Sequence, residues 1–282
     1  MRHFINVSLI CFVAICLSAC SSIYKESSKN VTISKVAELA SELEETSGLY
    51  CSTNTLLSIN DSGNTPVVFT LDYEGNIIHR TQLAVTNKDW EAVTADEHAL
   101  YVADVGNNKG KRDVVEIYKV QRDNVNSIEA LNIRYQGNDV TSNIPYAHDF
   151  DAEAMIKTGN GLLLFSKSWR SFVTKIYKVD ENNAQQTLSA FATIEGLPGV
   201  VTGADFDSTR NQYVVVGYRS DPFGNFAAFL ATTSAQFEVL NLWPLEDYKQ
   251  VEGVCADTKG NYWFSEEAID SRPASLSKMV IN

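Results

Sequence analysis

The sequence predicts an all-β fold, and three observations support that prediction. Short apolar strands separated by polar turns fill the chain, and helical periodicity is nearly absent outside residues 38–45. One phrase recurs: a small or acidic residue opens an apolar strand, a polar turn follows, and a second strand ends on a polar side chain. Its five copies span residues 47–61, 91–104, 153–167, 205–218 and 252–266. Strand-rich repeats of roughly 40 to 60 residues are typical of a β-propeller.

The number of blades is predicted to be five or six. Five repeats are visible, but residues 127–147 form the longest stretch between repeat openings. That stretch either supplies an outer strand at 131–135 or forms a degenerate sixth blade. The last repeat has only about three strands, and an alternating segment at 31–36 precedes the first repeat. We therefore expect this N-terminal strand to complete the last blade, which would leave no open sheet edge.

Residues 1–19 are predicted to be a lipoprotein signal peptide. A basic start at Arg2 precedes an almost wholly apolar run, and Leu17-Ser18-Ala19-Cys20 resembles the bacterial lipobox. The resemblance implies cleavage before Cys20 and attachment of lipid to that cysteine. An ordinary cleaved signal or a membrane stub is the alternative. Residues 20–30 are then a lipidated cysteine with a polar, flexible tether, and residues 31–282 form a single propeller domain.

The negative net charge of the chain indicates which classes of binding partner it is expected to have. It carries 23 basic and 35 acidic side chains, a formal net charge of -12, which becomes -13 when Arg2 leaves with the signal. Such an acidic domain is expected to bind neither nucleic acid nor anionic lipid head groups. Membrane contact should come from the lipid on Cys20 alone. The residue after Cys20 is Ser21 and not Asp, which favours the periplasmic face of the bacterial outer membrane. The expected partners are a small-molecule ligand or an envelope protein, and a monomer is expected.

Two cysteines stay in the mature domain, because Cys11 and Cys16 leave with the signal and Cys20 takes lipid. Cys51 and Cys255 lie on the predicted innermost strands of the first and last repeats, which a closed ring makes neighbours. An oxidising periplasm would then favour a disulfide between them. The repeat alignment, however, offsets them by one residue, which points side chains to opposite faces of a strand. Two buried free thiols are therefore the alternative.

The opening and closing residues of each repeat should lie at the same end of a blade, since they flank one antiparallel strand pair. All blades in a ring face the same way, so these residues should gather around one mouth of the central channel. The expected set is Glu91, Glu153, Asp205, Glu252, Asp61, Asp104, Lys167, Tyr218 and Glu266. Carboxylates at this density raise each other's pKa unless a cation or hydrogen bonds compensate.

Three interpretations of this acidic ring stay open from the sequence. In the first, the carboxylates are architectural and accept backbone N–H groups of the neighbouring blade. In the second, the ring binds Ca²⁺ or another divalent cation, with candidate ligands Glu91, Glu153, Asp205, Glu252 and Glu266. In the third, the ring is catalytic, with Glu153, Glu91 and Lys167 as the candidate residues. The candidate ligand-binding side chains are Asn60, Asp61, Asp104, Asn107, Trp169 and Tyr218. Aromatic loops at 169–172 and 221–226 either rim the mouth or pack only within themselves.

Several phrases of the repeats resemble a known group of proteins. They occupy residues 47–49, 59–64, 89–91, 104–108, 151–154, 202–205 and 251–254. With them the chain is similar to bacterial propellers of the phytase-like and SdiA-regulated type, and more remotely to gluconolactonase and paraoxonase propellers. In gluconolactonase-like proteins a Glu at a blade start helps to hold a catalytic divalent ion, so the resemblance implies that Glu91, Glu153, Asp205 or Glu252 is a ligand.

Taken together, these features predict a lipid-anchored periplasmic propeller that binds a ligand or protein partner at an acidic channel mouth, with Ca²⁺ as a candidate cofactor. The alternative is a metal-dependent hydrolase of esters, lactones or phosphoesters, in which a metal ion polarises the substrate and activates water.

Overall fold

The computed structural model describes residues 29–221 and 223–282. The predicted signal peptide, the lipidation site Cys20 and most of the predicted tether lie outside the described residues. Within the described ranges the chain is almost entirely strands and turns, with one short 3₁₀ helix at Ser41–Leu43. None of the helical structure in these ranges is long and apolar enough to span a membrane.

The strands of the described residues form five sheets, and each sheet is one blade of a β-propeller. The N-terminal strand is β1 (Val31–Glu38). Blade 1 then contains β2 (Thr46–Cys51), β3 (Leu56–Asn60), β4 (Val67–Leu71) and β5 (Ile77–Gln82). Blade 2 contains β6 (Trp90–Ala95), β7 (Ala99–Asp104), β8 (Val115–Gln121) and β9 (Asn124–Tyr135). Blade 3 contains β10 (Ala152–Thr158), β11 (Gly161–Ser166) and β12 (Thr174–Val179), and after β13 (Gln185–Leu188) it is completed by β14 (Ala192–Ile194).

The last two blades follow the same plan. Blade 4 contains β15 (Val200–Asp207), β16 (Gln212–Ser220), β17 (Phe226–Thr233) and β18 (Val239–Leu245). Blade 5 contains β19 (Val251–Ala256), β20 (Tyr262–Glu266) and β21 (Ser275–Ile281). Its fourth strand is β1, which pairs antiparallel with β21 from Val31 opposite Ile281 to Glu38 opposite Ser275. The predicted closure of the last blade by the N-terminal strand is therefore confirmed.

Residues 127–147, which the sequence allowed to be either an outer strand or a degenerate sixth blade, begin within blade 2. Residues 131–135 lie within β9, the outer strand of that blade, as one of the two interpretations predicted. The short strand β13 pairs in parallel with the end of β9, from Gln185 opposite Asn132 to Leu188 opposite Tyr135. The connection inside blade 3 thus adds a fifth strand to blade 2, and the blade count is five.

The hydrophobic core lies between the blades, which explains why the inner strands lack a polar face. In β11, Leu162 and Leu164 pack into the cluster shared with blade 2, whereas Leu163 and Phe165 pack into the cluster shared with blade 4. Side chains that alternate along a strand point to opposite faces of its sheet. Because both faces are covered by neighbouring blades, both sets must be apolar, and the strand appears in the sequence as an unbroken apolar run.

The innermost strand of every blade contains one bulged residue at the same place. The register of each inner strand with its neighbour shifts by one residue at this point. The bulged residues are Gly48, Glu91, Glu153, Thr202 and Glu252. A bulge turns the side chain of its extra residue away from the normal alternation of the strand. Five equivalent positions therefore depart from the normal alternation, and four of them carry a side chain, since Gly48 has none.

The bulges also align the two cysteines. Cys51 is three residues after Gly48, and Cys255 is three residues after Glu252, so the two occupy equivalent positions in neighbouring inner strands. The predicted one-residue offset came from aligning Ser47, instead of Gly48, with Glu252. Cys51 and Cys255 form a disulfide with Cα atoms 5.4 Å apart, which joins the first blade to the last.

Removing this disulfide should destabilise the ring. The bridge closes a sequence separation of 204 residues, and a cross-link over a long loop restricts the unfolded chain, so its loss is expected to cost about 2–5 kcal/mol. The full chain with Cys51→Ser and Cys255→Ser should lose that much free energy of unfolding in a urea titration. Dithiothreitol should lower the stability of the natural protein to the same level and leave the double variant unchanged. Equal midpoints for oxidised protein and double variant would contradict the prediction.

Candidate functional site

The bulged residues of three blades line a cavity at one mouth of the channel. Glu91, Glu153 and Glu252 are almost fully buried, with 2–4% of each residue exposed. The cavity has a volume of about 200 Å³ and is lined by Ser47, Asp61, Glu91, Asn108, Tyr146, Glu153, Lys167, Trp169, Tyr218, Gln250, Glu252 and Glu267. A second, smaller space of about 10 Å³ lies further along the inner strands, against Gly48, Ala92, Glu153 and Thr202.

A second set of side chains reaches the cavity from the strand next to each inner strand. In blades 3, 4 and 5, the residue that pairs with the position before the bulge is Ser166, Gly217 and Glu266, respectively. The next residue along the chain in each case, Lys167, Tyr218 or Glu267, lines the cavity. This register corrects the expected position of Glu266, which was placed one residue too early. In blade 2 the residue after Asp104 is Val105, which packs in the hydrophobic core and does not line the cavity.

The side chains of Asp104 and Glu266 bind elsewhere. Asp104 accepts hydrogen bonds from the Lys88 backbone N–H at 3.0 Å and from the Arg112 guanidinium at 2.6 Å. Glu266 accepts from the Lys249 backbone N–H at 2.7 Å and from Arg272 at 3.0 Å. Both carboxylates are therefore neutralised by structural partners outside the cavity lining.

The expected position of Asp205 is also corrected. The bulge of blade 4 falls on Thr202, whose hydroxyl donates to the Val251 carbonyl at 2.5 Å. Asp205 lies three residues further along β15, towards the opposite end of the strand, and accepts from the Ala256 backbone N–H of blade 5 at 2.9 Å. This is the architectural role that one interpretation of the acidic residues described, and it is fulfilled away from the mouth.

Two expected ligand-binding asparagines support the loops around the cavity but do not line it. Asn60 donates from its amide to the Glu42 carbonyl at 2.6 Å. Asn107 donates from its amide to the Phe150 carbonyl at 2.8 Å and accepts from the Arg112 backbone N–H at 2.8 Å. The neighbouring Asn108 lines the cavity instead, and its buried Oδ1 has no hydrogen-bond partner among the described residues.

Lys167 is the one cationic side chain of the cavity lining. Its Nζ lies 2.6 Å from Glu153 Oε1, and both side chains are buried. The ammonium also lies 4.9 Å from the centre of the Trp169 ring and 5.4 Å from that of Tyr218. Burial lowers the pKa of Lys167, but the negative charges of Glu153 and other neighbours outweigh it, so the pKa lies well above its usual value. Lys167 is therefore a fixed positive charge.

Three carboxylates meet on the side of blades 1 and 2. One oxygen each from Asp61, Asp89 and Glu91 lies within 4.8 Å of the others. Burial, reinforced by the charges of Glu153 and Asp61, raises the pKa of Glu91 well above its usual value. Burial and the Asp61 charge raise the pKa of Asp89 to about 6. We call Asp61, Asp89 and Glu91 the carboxylate triad.

Gly106 makes room for the triad. A Cβ atom at this position would lie 2.2 Å from Glu91 Oε1 and 2.5 Å from Asp89 Cγ. Such distances are far below van der Waals contact, so only glycine allows both carboxylates to occupy these places. The loop after β7 is thereby shaped around the triad.

Two further carboxylates lie on the side of blade 5. Burial raises the pKa of Glu252 to about 8, although the Lys167 charge opposes the rise. Burial and the charge of Asp61 raise the pKa of Glu267 to about 8. Glu267 accepts a hydrogen bond from Gln250 Nε2 at 2.9 Å. The buried Glu252 Oε2 has no hydrogen-bond partner in the part of the chain that the structure describes, so its hydrogen-bonding capacity is directed at whatever fills the cavity.

Several residues of the cavity lining or the triad were not among the predicted site residues. Asp89 stands two residues before Glu91 and Glu267 directly follows Glu266, so both lay within or beside the repeat phrases. Tyr146 comes from the loop after β9 and packs edge-on against Trp169 with ring centres 5.4 Å apart. No repeat in the sequence points to Tyr146, because only the folded loop brings it to the mouth.

Solved structures with a similar fold are distant in sequence. The catalytic domain of a GH62 α-L-arabinofuranosidase from Coprinopsis cinerea has a TM-score of 0.55 and 10% identity, with 92% of this chain and 98% of that domain covered. Luciferin-regenerating enzyme gives 0.49 and 12%, covering 89% and 95%. A protein of unknown function from Bacteroides caccae gives 0.45 and 10%, covering 80% and 72%. Identities this low show the fold alone. No protein-family model and no curated protein matches the sequence.

The stability of the protein should fall as pH rises through the neutral range. Glu252 and Glu267 have folded-state pKa values of about 8 against an ordinary value of 4.5. Between about pH 4.5 and 8 the unfolded state has released these protons while the folded state still holds them, so unfolding becomes more favourable as pH increases. Urea titrations in chelator should show this fall, and Glu252→Gln should reduce it. The exposed Glu238→Gln serves as control, and identical slopes for Glu252→Gln and Glu238→Gln would contradict the assignment.

Proposed function

We propose that this protein is a lipid-anchored propeller of the bacterial envelope that binds a divalent cation, Ca²⁺ by preference, and a small ligand at its mouth cavity. The observation that carries the proposal is the carboxylate triad, in which three acidic side chains converge without a basic side chain of their own. The anchor is the lipid on Cys20, and the location is the periplasmic face of the outer membrane. These last two points follow from the lipobox, and the repeat phrases support a propeller of the SdiA-regulated type.

The geometry of the triad suits a hard cation. Ca²⁺ binds oxygen ligands at about 2.3–2.6 Å, so two ligands of one ion lie no more than about 5 Å apart. The triad oxygens meet that limit at 4.8 Å. The free Oδ1 of Asn108 faces the same cavity and offers a neutral oxygen. Because residue 106 is a glycine, the loop after β7 places no side chain against the triad, and the position of the ion stays open.

Ca²⁺ should stabilise the protein through the triad. Binding only to the folded state raises the free energy of unfolding by RT ln(1 + [L]/Kd), so the melting temperature of the full chain should rise with added Ca²⁺ and return to its starting value with chelator. Asp89→Asn and Glu91→Gln should each weaken binding by about tenfold or more in a calorimetric titration, since each removes one charged ligand. Gly106→Ala should weaken it as well without removing any ligand.

The matched control is Asp113→Asn, since Asp113 is exposed and pairs with Arg134 away from the cavity. Its affinity for Ca²⁺ should equal that of the natural protein. Absence of any Ca²⁺-dependent shift in the natural protein would refute the cation site. An equal loss of Ca²⁺ affinity in Asp113→Asn and Asp89→Asn would refute the placement of the cation site at the triad.

A second candidate function is hydrolysis of esters, lactones or phosphoesters with a metal ion at the triad. The ion pair between Lys167 and Glu153 favours it, because a buried cation beside the cavity can stabilise negative charge that develops on a substrate oxygen. Glu153 orients Lys167, and Glu91 would hold the ion that polarises the substrate.

This second function predicts turnover that depends on Lys167. If the protein hydrolyses any member of an ester, lactone or phosphoester panel, Lys167→Met should lower kcat by about a hundredfold, as expected when one group that stabilises the transition state is lost. Glu153→Gln should lower kcat with Ca²⁺ binding retained, because the triad is intact. If the natural protein with Ca²⁺ bound hydrolyses no member of the panel, the hydrolase function is refuted and only the binding function is retained.

A further inference from the structure

A second cavity opens beside the acidic one and shares part of its wall. It has a volume of about 420 Å³ and is lined by Tyr146, Trp169, Phe172, Val200, Tyr218, Arg219, Ser220, Asp221, Phe226 and Gln250. Tyr146, Trp169, Tyr218 and Gln250 line both cavities. We call the second cavity the aromatic groove. The acidic cavity and the groove are thus neighbours that share a wall.

The aromatic groove is built from loops of blades 2, 3 and 4, and its rings are fixed by one another. Tyr146 packs edge-on against Trp169, and Tyr218 packs edge-on against Phe226 at 5.3 Å between ring centres. Tyr146 and Phe172 both have a φ of 55°, a left-handed conformation that is uncommon for aromatic residues. The backbone N–H of Tyr146 donates to the Asn108 carbonyl, and that of Phe172 donates to the Ser168 carbonyl. The rings are therefore held at the surface by a defined backbone.

The wall that the groove shares with the acidic cavity includes Gln250, which stands beside Glu267 and two residues before Glu252. Gln250 lines both cavities and holds Glu267 through its amide at 2.9 Å. Glu252 lies two residues further along, is 96% buried, and leaves its Oε2 without a partner among the described residues. A ligand that lies in the groove would thus place its end against an unsatisfied carboxylate oxygen.

The charges of this end favour a cationic group. Lys167 forms its ion pair with Glu153 at 2.6 Å, which leaves Glu252 and Glu267 without an ion pair among the described residues. Arg219 stands over the Phe172 ring, 5.8 Å from its centre. Lys167 itself shows that Trp169 and Tyr218 accept an ammonium group at 4.9 and 5.4 Å. Aromatic rings and carboxylates attract cations for the same electrostatic reason, and the attraction strengthens where water is excluded.

We propose that the acidic cavity and the aromatic groove together bind an organic ammonium ion, a molecule with one positively charged amine on an aromatic or other apolar body. The amine lies against Glu252 and Glu267, and the body lies between the rings of Trp169, Tyr218, Phe172 and Phe226. This inference rests on the proposed ligand-binding function of the mouth cavity and names the class of ligand. The carboxylate triad stays free for the inorganic cation.

The test compares 2-phenylethylamine with 2-phenylethanol, which has the same body and no charge. Calorimetric titration of the full chain should show that the amine binds at least about tenfold more tightly, as expected for a charge-assisted hydrogen bond to a buried carboxylate. Glu252→Gln should remove most of that difference. Glu267→Gln is the second variant, in case Glu252→Gln lowers the yield of folded protein. The exposed Glu238→Gln should bind the amine as the natural protein does.

Two further variants test whether the aromatic groove binds the apolar body of the ligand. Phe226→Ala should weaken 2-phenylethylamine by about tenfold through loss of apolar contact, whereas methylammonium, which has no body, should bind Phe226→Ala and natural protein equally. Phe191→Ala is the matched control, because Phe191 is a partly exposed ring that packs against Phe237 and lines neither cavity. Its affinity for 2-phenylethylamine should be unchanged.

The outcomes separate this inference from the proposed cation site. Equal affinity for amine and alcohol, or no binding of either, would overturn the ammonium site, and Ca²⁺ titration of the same sample shows whether the triad still binds its ion. Binding of the amine without binding of Ca²⁺ would support the ammonium site and refute the cation site.

Discussion

The structure depends on the closure of a ring of sheets whose inner strands have no polar face to turn towards water. Each inner strand is covered on both sides by neighbouring blades, so the ring must be complete for any blade to be buried. Two links join the first blade to the last, namely the pairing of β1 with β21 and the disulfide between Cys51 and Cys255. Since both links bring together distant parts of the chain, the mouth cavity exists only after the ring has closed.

One local irregularity turns this scaffold into a site. Each inner strand has a bulge at the same place, and the identity of the bulged residue differs between blades, so only three bulged residues line the mouth cavity. Gly48 has a φ of 65° and lies against the backbone of Ala92, where a Cβ would come within 2.9 Å, and Thr202 bonds to the next blade. Glu91, Glu153 and Glu252 occupy the other three bulges. The backbone bulge is thus repeated in all five blades, but an acidic residue occupies it in only three.

The sequence predicted the fold better than it predicted the site, for a physical reason. The count of repeats, the all-β class and the closing strand depend on apolar patterns that extend over many residues and tolerate small alignment errors. The site depends on which single residue is bulged, and a one-residue shift turns a side chain to the other face of its strand. Glu266 was displaced by one residue in this way and Asp205 by three, and the cysteines appeared misaligned for the same cause. Asp104 ends its strand as expected, but its carboxylate binds Arg112 and the Lys88 backbone N–H. Asp89 and Glu267 stand within or beside the repeat phrases, whereas Tyr146 comes from a loop whose path no strand pattern describes.

The charges around the cavity show why it should take up cations. Seven carboxylates lie in or directly beside it, and only some of them are stabilised by an ion pair or by hydrogen bonds in the described structure. They are Asp61, Asp89, Glu91, Asp151, Glu153, Glu252 and Glu267. Glu153 has Lys167. Asp151 accepts hydrogen bonds from Trp169 Nε1 at 2.8 Å and from the Asn107 backbone N–H at 2.5 Å.

The triad and Glu252 have no basic side chain within ion-pair distance among the described residues, and burial raises the pKa of each. Burial therefore disfavours their charged forms, and a bound cation would offset that cost. The cavity has two places where a cation could do so, one at the triad and one at Glu252. Gln250 lies in the wall shared with the aromatic groove and holds Glu267, so the second place is expected to accept an organic cation.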